Sequence, residues 1–266
     1  MLKRYERHMK KWRDITREDA EVGIMDDSIT RLKEAINSSD NIVFFGGAGV
    51  STESGIPDFR SADGVYNMKY KYPPEMILSH TFFLDHTEEF YEFYKAKLLH
   101  PDATPNRAHY ALAELERQGR LKAVITQNVD ALHSKAGSVN VLELHGSCER
   151  NYCTRCGRDH ALEAIIKAIG IPICECGGII KPDVVLFEES LDERVISASI
   201  TAIRGADMLI VGGTSLNVYP AAGMIQYFRG GALVLINKSE TMYDRHADIV
   251  IHESIGETLG SAAGIA

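Results

Sequence analysis

No cysteine lies outside Cys148–Cys176; all five are gathered there. That clustering excludes the dispersed disulfide frame of a small secreted domain. It points to a metal site in a reducing compartment, so a cytoplasmic protein is expected. No apolar run is long enough to span a bilayer, so no membrane partner is expected. The opening residues, MLKRYERHMKKWRDITRED, lack the apolar core of a signal peptide. Positive charge is in the minority, with a net charge of −8, which argues against general nucleic-acid affinity. The same charge does not oppose a lysine-rich peptide. What remains is a globular chain of 266 residues, 45% apolar, long enough for one large core or one core with a small satellite.

The chain is organised around Asn41–Arg60, NIVFFGGAGVSTESGIPDFR. Ile42–Phe45 reads as a buried strand bounded by Asp40-Asn41 and by glycines. Gly46, Gly47 and Gly49 permit a tight turn and close approach of the backbone to a ligand, as in a phosphate-binding turn after a parallel strand. The GxGxxG fingerprint is incomplete. Thr52 stands at the third glycine, and no acidic residue follows at the distance where a hydride-transfer enzyme would hold a ribose. A hydride dehydrogenase is therefore disfavoured, and a tight strand-to-helix connection remains open.

Further apolar runs follow at Ala123–Thr126, Val141–Leu144, Val184–Phe187, Met208–Val211, Leu233–Ile236 and Ile249–Ile251. Helical patterns at Asp192–Arg204 and Pro220–Phe228 separate several of them, which predicts an α/β doubly wound parallel sheet. Leu2, Tyr5, Met9 and Trp12 recur at helical spacing, predicting a short amphipathic helix packed on the body. Asp27 or Ser28 is expected to cap a second helix with Ile29, Leu32 and Ile36 inward. A helix opening at Thr104-Pro105 and stopping at Gly119 is also expected. Residues 61–100 are aromatic and helical in pattern, broken at Pro73-Pro74, and read as an insertion able to act as a lid.

Cys153-Thr-Arg-Cys156 and Cys174-Glu-Cys176 are spaced as ligands of one tetrahedral zinc. A four-thiolate site is closed, so its role is structural and the metal supplies folding energy to a segment with no core of its own. A redox CxxC pair and a disulfide frame are the alternatives. Cys148, directly after His-Gly-Ser, reads as a packed bystander thiol, with a thiol beside the site as the alternative. Polar groups fall at strand ends, where doubly wound sheets bind ligands: Gln127, Asn128 and Asp130, then His145, then Thr214 and Ser215. Each alone also reads as a cap or a satisfied core residue.

Gly47–Arg60 matches every fixed position of GAGxSxxxGIPDFR, and TQNVD (126–130), LHG (144–146), the cysteine cluster and GTSLNVYP (213–220) follow in order. With these motifs the chain resembles the sirtuins, NAD-dependent protein-lysine deacylases, of the bacterial type, over nearly all of Asp40–Ser254. The resemblance implies NAD as co-substrate, structural zinc, acyl-lysine proteins or peptides as partners, and release of nicotinamide and O-acetyl-ADP-ribose. It implies that His145 is the general base acting on a ribose hydroxyl, with Asn128 and Asp130 at the nicotinamide end beside Val129. Ala48, Thr52, Phe59, Arg60 and Gln127 would line the rest of the NAD pocket, Phe59 as a water shield, and Thr214, Ser215 and Asn237 would take the phosphate and adenosine end. A strand at Val184–Phe187, with Val185 and Phe187 in contact, would pair with the substrate backbone. Glu188 stands where the family commonly has glycine, and the second acid, Glu189, would favour basic peptides. The implied domains are an NAD-binding Rossmann-like domain (26–60, 101–148 and 181–266), a helical cofactor-loop insertion (61–100), a zinc module (149–180) and an N-terminal helical extension (1–25). The branch that removes acidic acyl groups carries Tyr and Arg three residues apart; here Tyr94 matches and Lys97, which also reads as a solvated lysine, replaces the arginine, which implies preference for acetyl or another short neutral acyl group. ADP-ribosyl transfer on the same fold and a noncatalytic NAD or ADP-ribose sensor are the rival functions.

Overall fold

The structure, a computed structural model, describes residues 17–61, 64–67 and 70–265. The helix expected around Leu2, Tyr5, Met9 and Trp12 lies outside them. Among the described residues there are nine strands: β1 (Ile42–Gly46), β2 (Leu121–Thr126), β3 (Val141–Glu143), β4 (Gly146–Cys153), β5 (Asp159–His160), β6 (Ile180–Val184), β7 (Met208–Gly212), β8 (Ala232–Ile236) and β9 (Ile249–Ile251). The α-helices are α1 (Arg17–Ser38), α2 (Pro74–Ile77), α3 (His80–Asp85), α4 (Thr87–Lys97), α5 (Arg107–Arg117), α6 (Leu132–Lys135), α7 (Leu162–Ile166), α8 (Glu193–Gly205) and α9 (Ile255–Ala263).

Six strands form one parallel sheet in the order β3-β2-β1-β7-β8-β9. Read in chain order of its own strands, this is the doubly wound 3-2-1-4-5-6 arrangement. The central strands are apolar without alternation because both faces are covered. Ile42 and Phe44 face Leu32, Ile36, Leu112, Leu115 and Leu259 from α1, α5 and α9. Val43 and Phe45 face the other way, into a core with Ile203 of α8 and Met224 and Ile225 of the 3₁₀ segment Ala221–Tyr227. Each such fully buried side chain contributes roughly 1.5–3 kcal/mol.

A second sheet, β5-β4-β6, is antiparallel. The expected strand Val184–Phe187 is corrected here: it is not part of the parallel series. Val184 ends β6 on β4, and only Phe187 makes a further bridge, to Ser79. A third core joins Phe82, Phe83, Phe90, Tyr91 and Phe93 of the helical insertion to Leu162, Ile165, Ile180 and Val184 of the cysteine module. The module thus shares a core with the insertion.

Two helix starts also differ from expectation. α1 runs unbroken from Arg17 to Ser38, so neither Asp27 nor Ser28 is a cap; an acidic or hydroxyl residue on a helix costs little. α5 begins at Arg107, not at Pro105, because Asn106 is the N-cap: its side chain accepts the Ala108 N–H at 3.0 Å. No helix among the described residues is long and apolar enough to cross a membrane.

Candidate active site

The sheet order reverses between β1 and β7, and two glycine turns interlock at that point. Gly49 N donates to Gly213 O at 2.8 Å, and Gly47 N to Gly212 O at 3.3 Å. A Cβ on Gly49 would lie 2.8 Å from Gly213 Cα, and Gly213 itself is left-handed at φ +59°. These glycines are therefore needed for one turn to lie against the other. Thr52, at the third glycine position, donates its hydroxyl to Gly49 O at 3.0 Å and closes the loop on itself. Asn106 braces the same loop from α5, its amide donating to Val50 O at 2.8 Å and Ser54 Oγ at 3.0 Å.

The loop after β2 joins this turn through Ser51. Asn128 Nδ2 donates to Ser51 Oγ at 3.1 Å, and Ser51 Oγ donates to Asp130 Oδ2 at 2.6 Å. The other oxygen of Asp130 accepts the Leu132 N–H at the start of α6, across Ala131 in the left-handed region at φ 60°. Gln127 reaches the opposite way, Nε2 to Thr214 Oγ1 at 3.1 Å. Ser215 accepts from Arg60 Nη1 at 3.5 Å, and the Arg60 guanidinium lies 5.6 Å from the Tyr66 ring centroid, which in turn lies 5.4 Å from Phe59. Ala48 occupies the first 3₁₀ turn of the glycine loop. Asn237, just past β8, is placed by Ile251 O and donates Nδ2 to Ser239 O at 2.7 Å.

His145 sits where the chain passes from the parallel sheet into β4. Gly146 makes that turn at φ +73°, and a Cβ there would collide with Asp183 O. His145 Nδ1 lies 2.9 Å from Gln127 O. A carbonyl only accepts, so Nδ1 carries the proton of the neutral ring and Nε2 keeps its lone pair. Burial pushes the imidazole pKa down from its ordinary value, and the bond to Gln127 partly opposes this. The ring is thus held neutral, with Nε2 ready to accept a proton. Val129 O accepts the Cys148 N–H at 2.9 Å; burial pushes the Cys148 thiol up to about 12, which leaves it inert.

Val185 N donates to His145 O at 3.0 Å, and Phe187 N donates to Leu78 O at 2.9 Å. Leu186 is buried between them, with Val185 half-buried and Phe187 exposed. The Val185 carbonyl and Glu188 N–H have no partner among the described residues. Tyr94 is wholly buried in α4, its ring stacked on Phe90 at 5.6 Å and its hydroxyl unpaired among the described residues. The Lys97 ammonium lies 5.9 Å from the Tyr70 ring.

The four thiols of Cys153, Cys156, Cys174 and Cys176 all lie within 4.8 Å of one another. Cys153 and Cys176 sulfurs are 3.4 Å apart, and Cys156 and Cys174 sulfurs 3.8 Å. Ligands on a tetrahedral zinc with bonds of about 2.3 Å are separated by about 3.8 Å, so the donor set fits the metal. The backbone N–H groups of Arg155 and Cys156 point at Cys153 Sγ, at 3.4 and 3.5 Å, and support a thiolate there. The single residue between Cys174 and Cys176 does not prevent the gathering.

Ser51 and Asn106 were not singled out from sequence. Ser51 was legible as the fixed serine of GAGxSxxxGIPDFR; Asn106 was legible only as a cap, since its reach to the glycine loop is a tertiary contact.

Doubly wound strand order, interlocked glycine turns and a four-thiol module define a Rossmann-like protein with a structural-metal site. The Sir2 family profile matches residues 47–220, and the chain belongs to the Sir2 family. It is 61% identical over 237 residues to an NAD-dependent protein deacetylase of Clostridium acetobutylicum, covering 88% of this chain and 97% of that one. An NAD-dependent protein deacetylase of Sulfolobus acidocaldarius is 47% identical, with 85% and 90% covered. Among solved structures, a Sir2 histidine-to-alanine variant with deacetylated p53 peptide and 3′-O-acetyl-ADP-ribose has a TM-score of 0.82 at 38% identity, covering 89% of this chain and 97% of that one. A Sir2 complex with p53 peptide and NAD+ has a TM-score of 0.77 at 38% identity, with 87% and 95% covered.

Proposed function

We infer that the chain is an NAD-dependent protein deacetylase, which moves the acetyl group of a modified lysine onto ADP-ribose and releases nicotinamide. The observation that carries this reading is the neutral His145, its Nε2 free, tied through Gln127 to the interlocked glycine turns. Family membership and the deacetylase relatives support it.

NAD supplies the electrophilic ribose carbon that is exposed when nicotinamide leaves. Asn128, fixed by Ser51, and Asp130 hold the nicotinamide end, with Val129 beside them. His145 Nε2 takes a proton from a ribose hydroxyl, and the Gln127 carbonyl steadies Nδ1–H as the ring becomes charged. Phe59, packed on Tyr66, keeps water from the reacting sugar. Ala48, Thr52, Arg60 and Gln127 line the cofactor side; Thr214, Ser215 and Asn237 take the phosphate and adenosine end. Cys153, Cys156, Cys174 and Cys176 hold one zinc, which fixes the module carrying β4 and β6 and takes no part in the chemistry.

The substrate is an acyl-lysine peptide laid along Val185–Phe187, whose open carbonyl at Val185 and N–H at Glu188 accept an added strand. Val185 and Phe187 face that strand. A cytoplasmic location is part of this reading; four thiols gathered for a metal support a reducing compartment. The test is nicotinamide release from NAD, followed by chromatography, with and without an acetylated peptide. Release only with the acetylated peptide supports the reading; equal release with the unmodified peptide contradicts it.

A further inference from the structure

Glu188 is a non-glycine residue in the left-handed region, at φ 75°, directly after the segment read above as the peptide's strand partner. A side chain there is strained and persists only where its surroundings compensate. The compensation is visible. Glu188 Oε2 accepts both the Thr81 N–H at 2.9 Å and the Thr81 hydroxyl at 2.7 Å.

Thr81 is in the first turn of α3, where N–H groups have no partner within the helix. The three first donors of α3 are all satisfied from outside it. His80 N donates to Phe187 O at 3.0 Å, Thr81 N to Glu188, and Phe82 N to the Ser79 hydroxyl at 3.2 Å. Two of the three therefore go to consecutive residues of the 185–189 segment. Glu189 holds the segment from its other side: it accepts the Leu186 N–H at 2.8 Å, pairs with the buried Lys181 at 3.2 Å and meets His80 Nδ1 at 2.8 Å. Every polar backbone group of Leu186 and Phe187 is thus engaged within the protein, which leaves the Val185 carbonyl and the Glu188 N–H without a partner among the described residues.

We propose that Glu188 is a positioning residue for the peptide: its carboxylate caps α3 and so locks the Val185–Glu188 edge in the shape that receives the substrate backbone. One carboxylate oxygen, Oε2, is taken by Thr81, and through it Glu188 acts on backbone geometry. Glu189 is engaged with Lys181 and His80, within the protein. This inference rests on the reading that the peptide adds as a strand.

The test is steady-state kinetics with an acetylated peptide and NAD. Glu188→Gly keeps the left-handed backbone but loses the cap. It is expected to raise the peptide KM about tenfold, with kcat and the KM for NAD within about twofold of the parent, the pattern of lost ground-state binding. Glu188→Gln, which keeps an oxygen acceptor, should restore most of the peptide KM. Thr81→Val approaches the same contact from the helix and should raise the peptide KM severalfold. The double variant Glu188→Gly with Thr81→Val should be no worse than Glu188→Gly alone. An unchanged peptide KM in Glu188→Gly, or an equal rise in the KM for NAD, overturns the proposal. A peptide N-methylated on the backbone beside the acetyl-lysine separates the two levels. If the wild type binds it as well as the parent peptide, the strand reading fails and the proposal with it. If N-methylation weakens binding while Glu188→Gly has no effect, the strand reading stands and the role of Glu188 alone is rejected.

Discussion

Ser51 Oγ donates to Asp130 Oδ2 at 2.6 Å and accepts from Asn128 at 3.1 Å, so one hydroxyl ties the glycine loop to both polar residues after β2. Ser51 is almost wholly buried. Removing its oxygen leaves the Asn128 amide and the Asp130 carboxylate each short of a partner, at a cost of about 1–3 kcal/mol. Ser51→Ala is expected to lower kcat/KM for NAD by roughly tenfold to a hundredfold, with the peptide KM little changed. Steady-state kinetics with both substrates varied checks this; a raised peptide KM alone would contradict it.

His145 is expected to be required for turnover and dispensable for NAD binding. Losing a positioned general base costs about 10²–10⁴-fold, so His145→Ala should fall by that much in deacetylation while calorimetry still detects NAD. Its pKa is lowered by burial, so the neutral, active form persists below the ordinary histidine value of about 6.5. Activity should therefore be lost on acidification only at a pH below about 6.5, and a pH–kcat/KM profile with an acid limb above that value would contradict the assignment.

Stability should fall with acid for a separate reason. His109 and His133 are buried with ring centroids 4.7 Å apart, and both His133 nitrogens lack partners among the described residues. Burial pushes His109 down to about 4 and His133 to about 3, the latter helped by repulsion from His109. Above about 6.5 both rings are neutral folded or unfolded, and the native state has its full stability. Below it the unfolded chain binds protons that the folded chain refuses, so stability declines with falling pH until the folded pKa values are reached. A loss on the order of 4 kcal/mol is expected by pH about 5, about 2 kcal/mol from each ring. His133→Leu should flatten this dependence in thermal melts; an unchanged slope would show that other groups set it.

One zinc per chain is expected by elemental analysis. Cys156→Ser or a chelator should release it and unfold the cysteine module. Because that module shares a core with Phe83, Phe90 and Tyr91, the damage should spread into the helical insertion and abolish activity indirectly. Full activity in metal-free protein would contradict a structural zinc.

The legible part of the sequence was whatever is local. The glycine loop and the two cysteine pairs announce themselves by residue type and spacing, the strand-end residues 127–130, 145 and 214–215 stand out only through the motifs that carry the resemblance, and the sheet follows from apolar runs between helical patterns. Val184–Phe187 was misread because four apolar residues in a row look like a buried parallel strand. In fact the chain leaves β6 at Val184 and caps α3 instead, a long-range arrangement that no local period reveals. Asn106, Ser51 and Glu188 carry the same lesson: each acts on a residue distant in sequence, and only the folded chain shows which.

A preference for acetyl is expected from Tyr94 and Lys97. Tyr94 is sealed in an aromatic stack, and Lys97, beside Tyr70, offers a point charge in place of a two-pronged guanidinium. Acetyl-lysine should be processed faster than succinyl-lysine on the same peptide. Faster succinyl turnover, lost selectively in Lys97→Ala, would make these two residues carboxylate receptors.

The fate of the acetyl group tests the function most directly. A peptide carrying trideuteroacetyl-lysine, incubated with the protein and NAD and resolved by mass spectrometry, should yield bare lysine, nicotinamide and deuteroacetyl-ADP-ribose in equal amounts. Label appearing as free acetate with NAD intact, or retained on a peptide that has gained ADP-ribose, would contradict acetyl transfer to ADP-ribose.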